Sequence, residues 1–148
     1  MTRKNSRRFQ NNSAAIKEWS REVESNYGVP SLLITHGKGS EVFDADGEKY
    51  LDLLGGIATN LLGHGNKAIV NAISTQSKTL SHVSNFYAHP NVINLAAKLK
   101  SMAHLPNAKV FFCNSGAEAN EAALKISRLT GRSKIISTQG AFHGRTMG

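Results

Sequence analysis

Phe111-Phe112-Cys113-Asn114-Ser115-Gly116-Ala117-Glu118-Ala119-Asn120-Glu121 decides the fold of this chain: a short apolar run breaks at Asn-Ser-Gly and turns at once into a helical sequence. An anion site follows from that geometry. The backbone N–H groups of Gly116, Ala117 and their neighbours have no intrahelical partner, and the helix dipole adds partial positive charge where they point. Ser115 adds a side-chain donor. The same residues also read as Asn114-Ser115 capping a helix while Gly116 eases the turn, because a short glycine-containing turn is a weak motif on its own.

Working outward from this stretch, residues 110–113 form the strand before the turn and residues 117–129 the helix, with Gly131 as its C′ residue. Residues 134–137 are a second apolar strand, followed by Ala141-Phe142-His143-Gly144-Arg145-Thr146. A strand–helix–strand unit of this length is parallel and right-handed, with its ligand at the carboxyl ends of the strands. The fold class is therefore α/β. Phe142 offers a flat stacking face and Arg145 a planar fork for a carboxylate. Taken singly, a Phe after a strand also suits a core, and a lone Arg a solvated surface. Glu118 and Glu121 fall in the first turn and a half of the helix, where carboxylates complement the dipole. For Glu121 that is the whole reading, while Glu118 also adjoins the turn and can brace it.

Upstream, residues 1–13 are basic, rich in Asn and Ser and almost free of large apolar groups, so they are expected to be disordered. Ile16, Trp19 and Val23 repeat at helical spacing over residues 14–27, until Gly28-Val29-Pro30 stops the run. Strand-like pieces follow at residues 32–35, 40–44 and 49–53, the last two joined by Asp46-Gly47, a hairpin signal. Gly55-Gly56 and Gly63-His64-Gly65 mark loops where backbone comes close to other groups. Asn66 then caps a helix with Ile69, Ile73 and Leu80 on its apolar side. Pro90 opens another, striped by Val92, Leu95, Leu99 and Met102.

Composition narrows the possibilities. The 148 residues carry a net charge of +8, half of it from Arg3, Lys4, Arg7 and Arg8. No Asp or Glu lies between Asp52 and Glu118, while Lys67, Lys78, Lys98, Lys100 and Lys109 do. That suits steering of anionic ligands, and equally a solvated basic face. A basic nucleic-acid-binding module would interleave aromatics with basic residues on a strand face, and this chain does not. One cysteine, Cys113, excludes an internal disulfide framework and sits in an apolar run. No apolar run is long enough to span a bilayer, no secretory core opens the chain, and no histidine spacing suggests a metal site, so a cytoplasmic protein without membrane or nucleic-acid partners is expected.

Five separated motifs carry a family resemblance: Tyr50-Leu51-Asp52-Leu53-Leu54-Gly55-Gly56-Ile57-Ala58, Leu62-Gly63-His64, His82-Val83-Ser84-Asn85-Phe86-Tyr87, Ser115-Gly116-Ala117-Glu118-Ala119-Asn120-Glu121 and Phe142-His143-Gly144-Arg145-Thr146. In order and spacing they resemble the class III (omega) aminotransferases of fold-type I, most closely the acetylornithine aminotransferases of arginine biosynthesis. One departure is Asn66-Lys67, where the family usually has a His-Pro pair; Asn remains a good helix cap there. The resemblance implies pyridoxal 5'-phosphate as cofactor, its phosphate held by Ser115, Gly116 and Ala117 and its ring by Phe142. It implies Arg145 on the substrate α-carboxylate, and Asn85 and Tyr87 along the substrate entrance. It also implies N-acetyl-ornithine and glutamate/2-oxoglutarate as substrates, a homodimer at full length, and an N-terminal small domain (14–65) leading into the first part of a large parallel-sheet domain (66–148). Siblings acting on ornithine, succinyl-ornithine, succinyl-diaminopimelate or 4-aminobutyrate share these motifs. In the family the Schiff-base lysine lies far beyond Arg145, so the chain is expected to be an N-terminal piece with no transamination chemistry of its own.

Overall fold

The computed structural model describes Phe9 and residues 11–147. These fall into two compact units that divide between His82 and Val83. The first opens with α1 (Asn12–Glu22), capped by the side chain of Asn11, which accepts the Ala14 amide at 2.8 Å. Helix α1 thus starts inside the stretch read as a tail; apart from Phe9 and residues 11–13, that tail lies outside the described residues. The helix also stops short of residue 27, because Val23 turns extended at φ −120° and ψ 132°. Val23 continues the apolar repeat but is β-branched, and the neighbouring Glu22 and Glu24 oppose the negative end of the helix dipole.

Three strands follow: β1 (Ile34–Lys38), β2 (Glu41–Asp44) and β3 (Lys49–Leu51), antiparallel in sequence order. Register runs Lys38 to Glu41 across a two-residue turn, and Val42 to Tyr50 across the Asp46-Gly47 hairpin. His36 and Phe43 stack at 4.6 Å, and a bulge interrupts β1 between Ile34 and His36. Asp44, only 3% exposed, is the hub of this unit. Its carboxylate accepts from Tyr50 Oη at 2.8 Å, Asn12 Nδ2 at 2.9 Å, and the amides of Glu48 at 2.9 Å and Asp46 at 3.0 Å. Asn12 accepts the Leu33 amide at 2.7 Å, so the first turn of α1 is tied to the hairpin and to the lead into β1. These bonds of Asp44 and Asn12 were not read from the sequence.

After β3 the chain makes α2 (Gly55–Ala58), whose four residues have φ of 53°, 63°, 59° and 59°. It is a single left-handed turn, costly for Ile57 and Ala58 and available to the two glycines. The Asp52 carboxylate holds it from outside, accepting the Gly55 amide at 2.9 Å and pairing with His64 Nε2 at 2.8 Å. The backbone of His64 bonds Gly39 in both directions, and a Cβ on Gly63 would lie 2.8 Å from the Gly39 oxygen. That is the close approach the glycines signalled. Asn66 then caps α3 (Lys67–Thr79), accepting from Ala68 at 3.0 Å and Ile69 at 3.4 Å.

The hydrogen bonds of the two carboxylates have a pH consequence. In Asp52 the His64 bond and then the Gly55 amide hold the carboxyl below the usual range; in Asp44 burial pushes upward, and the bonds from Asn12, Tyr50, Glu48 and Asp46 outweigh it. A carboxyl depressed in the folded state stabilises it above the unfolded value of about 3.9, and that contribution is lost as pH falls through the folded value. Carboxyl NMR titration should place both groups below the free value. Exchange at the Asp46, Glu48 and Gly55 amides, corrected for its intrinsic rate, should then accelerate on acidification. Slower exchange at low pH would contradict this.

The second unit contains α4 (Pro90–Met102), with Pro90 in its first turn and His89 as N-cap, and α5 (Gly116–Arg128), with Ser115 as N-cap. Gly131, at φ 75°, lies two residues past the end residue Leu129 rather than at C′. The parallel pairing expected of residues 110–113 and 134–137 is not made: the sheet of the described residues is the antiparallel β1–β2–β3, and both segments lie outside it. A strand exists only through ladder bonds to neighbours, and neither segment meets one; Phe111 is 68% and Ile136 95% exposed. Among the described residues no helix is long and apolar enough to cross a membrane.

Candidate functional site

The start of α5 is built from Asn114-Ser115-Gly116. Ser115 is extended, at φ −156° and ψ 161°, and its Oγ accepts the Glu118 amide at 3.2 Å. The first intrahelical bond runs from the Ala119 amide to the Ser115 oxygen at 3.1 Å. The amides of Gly116 and Ala117 lie ahead of it and are the orphan donors of this end. Glu118 turns backward: its carboxylate accepts the Asn114 amide at 2.6 Å and Asn114 Nδ2 at 3.1 Å. It therefore braces the turn, in a variant of the capping box that reaches one residue further out. Cys113 Sγ donates to the Ser115 oxygen at 3.4 Å.

The loop of residues 142–147 is seated on this helix end. Gly144 has φ 115°, and a Cβ there would stand 2.5 Å from Ala117 Cβ and 2.9 Å from Ala117 Cα. Only glycine fits at that point. Three residues along the helix, Asn120 Nδ2 donates to the His143 oxygen at 2.8 Å. One turn along, Glu121 Oε1 accepts the Thr146 hydroxyl and the Met147 amide, the latter at 2.8 Å. Ala117, Asn120, Glu121 and Leu124 are the half-exposed residues of one helix face, at the spacing of a continuous stripe. Reading Glu121 as a dipole residue alone is thereby corrected: it also anchors the loop. The signal in the sequence was that stripe, in which two polar side chains follow a small one.

Held this way, the loop sets Arg145 over Phe142, guanidinium carbon to ring centroid 5.9 Å, a cation–π contact. The Phe142 side chain stays 70% exposed. Ser115, Gly116 and Ala117 are thus joined to the Phe142–Arg145 loop through Ala117 and Gly144. Asn85 and Tyr87 lie on a separate turn, where the Tyr87 amide donates to the Ser84 oxygen at 2.9 Å. Among the described residues no hydrogen bond links them to the loop.

The donor set fits a phosphate ester. Two orphan amides and a hydroxyl lie at one helix start, a Cβ added to Gly116 would meet nothing within 4 Å, and the Glu118 carboxylate is bonded to Asn114. Beside it stand an aromatic face and a guanidinium. Such a constellation can hold an anionic group, support a flat ring and grip a carboxylate.

Comparison with known proteins bears on this arrangement. The acetylornithine aminotransferase of Mycolicibacterium smegmatis is 55% identical over 130 residues, covering 88% of this chain and 33% of that protein. The chain therefore spans about a third of that relative's length. The solved N-acetylornithine aminotransferase of Stenotrophomonas maltophilia superposes with TM-score 0.69 at 35% identity, over 81% of this chain and 35% of the other. Taurine:2-oxoglutarate aminotransferase from Bifidobacterium kashiwanohense, solved with PLP and glutamate, gives TM-score 0.73 at 31% identity, over 82% and 28%. The aminotransferase class-III family model matches residues 23–148, and the chain belongs to that family.

Proposed function

We propose that this chain supplies the phosphate- and carboxylate-binding part of a pyridoxal 5'-phosphate-dependent transaminase that moves an amino group between N-acetyl-ornithine and 2-oxoglutarate. The observation that carries it is the seating of the Phe142–Arg145 loop on the α5 start, through Gly144 against Ala117. Identity of 55% to an acetylornithine aminotransferase supports the choice of donor. Ser115 Oγ and the Gly116 and Ala117 amides hold the cofactor phosphate; Phe142 supports its ring; Arg145 fixes the substrate carboxylate and so orients the amine. When bound, the cofactor would supply an electron sink for the substrate carbon that bears the transferred amine. Asn85 and Tyr87 line the substrate entrance.

On this reading residues 14–65 belong to the family's small domain and residues 66–148 to its large parallel-sheet domain. The working enzyme is a cytoplasmic homodimer without nucleic-acid or membrane partners.

A donor series on the full polypeptide carrying these residues tests the assignment. N-acetyl-ornithine should give the highest kcat/KM with 2-oxoglutarate, at least about tenfold above ornithine, succinyl-ornithine, succinyl-diaminopimelate or 4-aminobutyrate, the scale of one well-placed polar contact. A higher value for any of the others would reassign the donor within the class.

A further inference from the structure

We propose that Glu121 is a positioning residue for the site, its carboxylate holding the Phe142–Arg145 loop in register with the first turn of α5. The proposal rests on the transaminase reading only for its kinetic consequence; the positioning itself stands on geometry. Residues 142–147 have no place in the β1–β2–β3 sheet and no helix of their own. Their attachments are side by side on one helix face: Gly144 on Ala117, the His143 oxygen on Asn120, and the Thr146 hydroxyl and Met147 amide on Glu121. The Gly144 contact is steric and fixes how closely the loop approaches. It sets no direction along the helix. The polar attachments to Asn120 and Glu121 do, and they bracket Arg145: Asn120 holds the residue two before it, and Glu121 the residues one and two after it.

Glu121 is also suited to the task by its acceptor chemistry. Thr146 and Met147 both donate to the same carboxylate oxygen, Oε1. An ionised carboxylate accepts only, and charge-assisted bonds of this kind are about twice as strong as neutral ones. A Gln in its place keeps one acceptor oxygen without the charge. An Ala keeps neither.

The test compares Glu121→Ala and Glu121→Gln in the full polypeptide carrying these residues, by hydrogen exchange and steady-state kinetics. In Glu121→Ala, exchange across residues 142–147 should accelerate at least about tenfold, the equivalent of losing one or more net hydrogen bonds, while residues 116–128 exchange as in the wild type. KM for the amino donor should rise more than kcat falls, because Arg145 loses its register while the α5 amides keep theirs. Glu121→Gln should restore most of the exchange protection and most of KM. Unchanged exchange across 142–147 in the Ala variant would overturn the proposal. So would acceleration spread equally through α5 with a lowered Tm, which is what a merely structural residue would give. If the exchange result holds while the wild type shows no transaminase activity, the positioning stands and the functional reading falls.

Discussion

Replacing Arg145 by Lys is expected to lower kcat/KM by about 2–4 kcal/mol, some 30- to 1,000-fold, for glutamate and N-acetyl-ornithine alike. Both donors present a carboxylate for Arg145 in their own half-reactions: the α-carboxylate of N-acetyl-ornithine, whose transferred amine is on Cδ, and one of the two carboxylates of glutamate, whose transferred amine is on Cα. A guanidinium offers two parallel N–H donors in a fixed plane, whereas an ammonium is a single hydrated point of charge. Lys therefore keeps the charge and loses the geometry, which costs orientation of the amine as well as binding. Lys also gives up the guanidinium contact with Phe142, whose ring centroid lies 5.9 Å from Arg145 Cζ. The increase should be mainly in KM, with cofactor affinity nearly unchanged, because the phosphate contacts come from Ser115, Gly116 and Ala117. Kinetics with both donors decide it: unchanged efficiency for either would remove Arg145 from this role.

The parts of this molecule that were legible in its sequence are those whose signal is local. The Asn66 cap, Pro90 in a first turn, the Asp46-Gly47 hairpin and the Ser115–Gly116 helix start each depend on a few adjacent residues, and each is where it was expected. What failed needed information from a distance. Residues 110–113 and 134–137 are apolar and β-prone, but pairing requires neighbours that propensity does not name. The length of α1 was overestimated because Val23 fits the apolar repeat even though its backbone leaves the helix. Asp44, Asp52 and His64 were invisible as partners, since the Asn12–Asp44 and His64–Asp52 bonds reach 32 and 12 positions along the chain, and no local pattern marks such pairs. The site shows the same division: Ser115, Phe142 and Arg145 stand out as residue types in a motif, whereas Asn120 and Glu121 gain their meaning only when the loop returns to the helix.

The central claim is that the α5 start holds the cofactor phosphate, and it is tested most directly by asking how much of the binding depends on that group. Affinities of the full polypeptide carrying these residues for pyridoxal 5'-phosphate and for pyridoxal should be measured in the wild type and in Ser115→Gly. Gly removes the hydroxyl while costing the helix cap only a few tenths of a kcal/mol, so the fold is not the variable. Hydrogen bonds to a charged group contribute about 1.5–3 kcal/mol each, and three donors acting together should favour the phosphorylated form by roughly 1,000-fold or more. Removing the Ser115 hydroxyl should reduce that preference by about 10- to 100-fold and leave pyridoxal affinity unchanged. Equal affinity for the two compounds in the wild type, or the same preference in Ser115→Gly, would contradict the account.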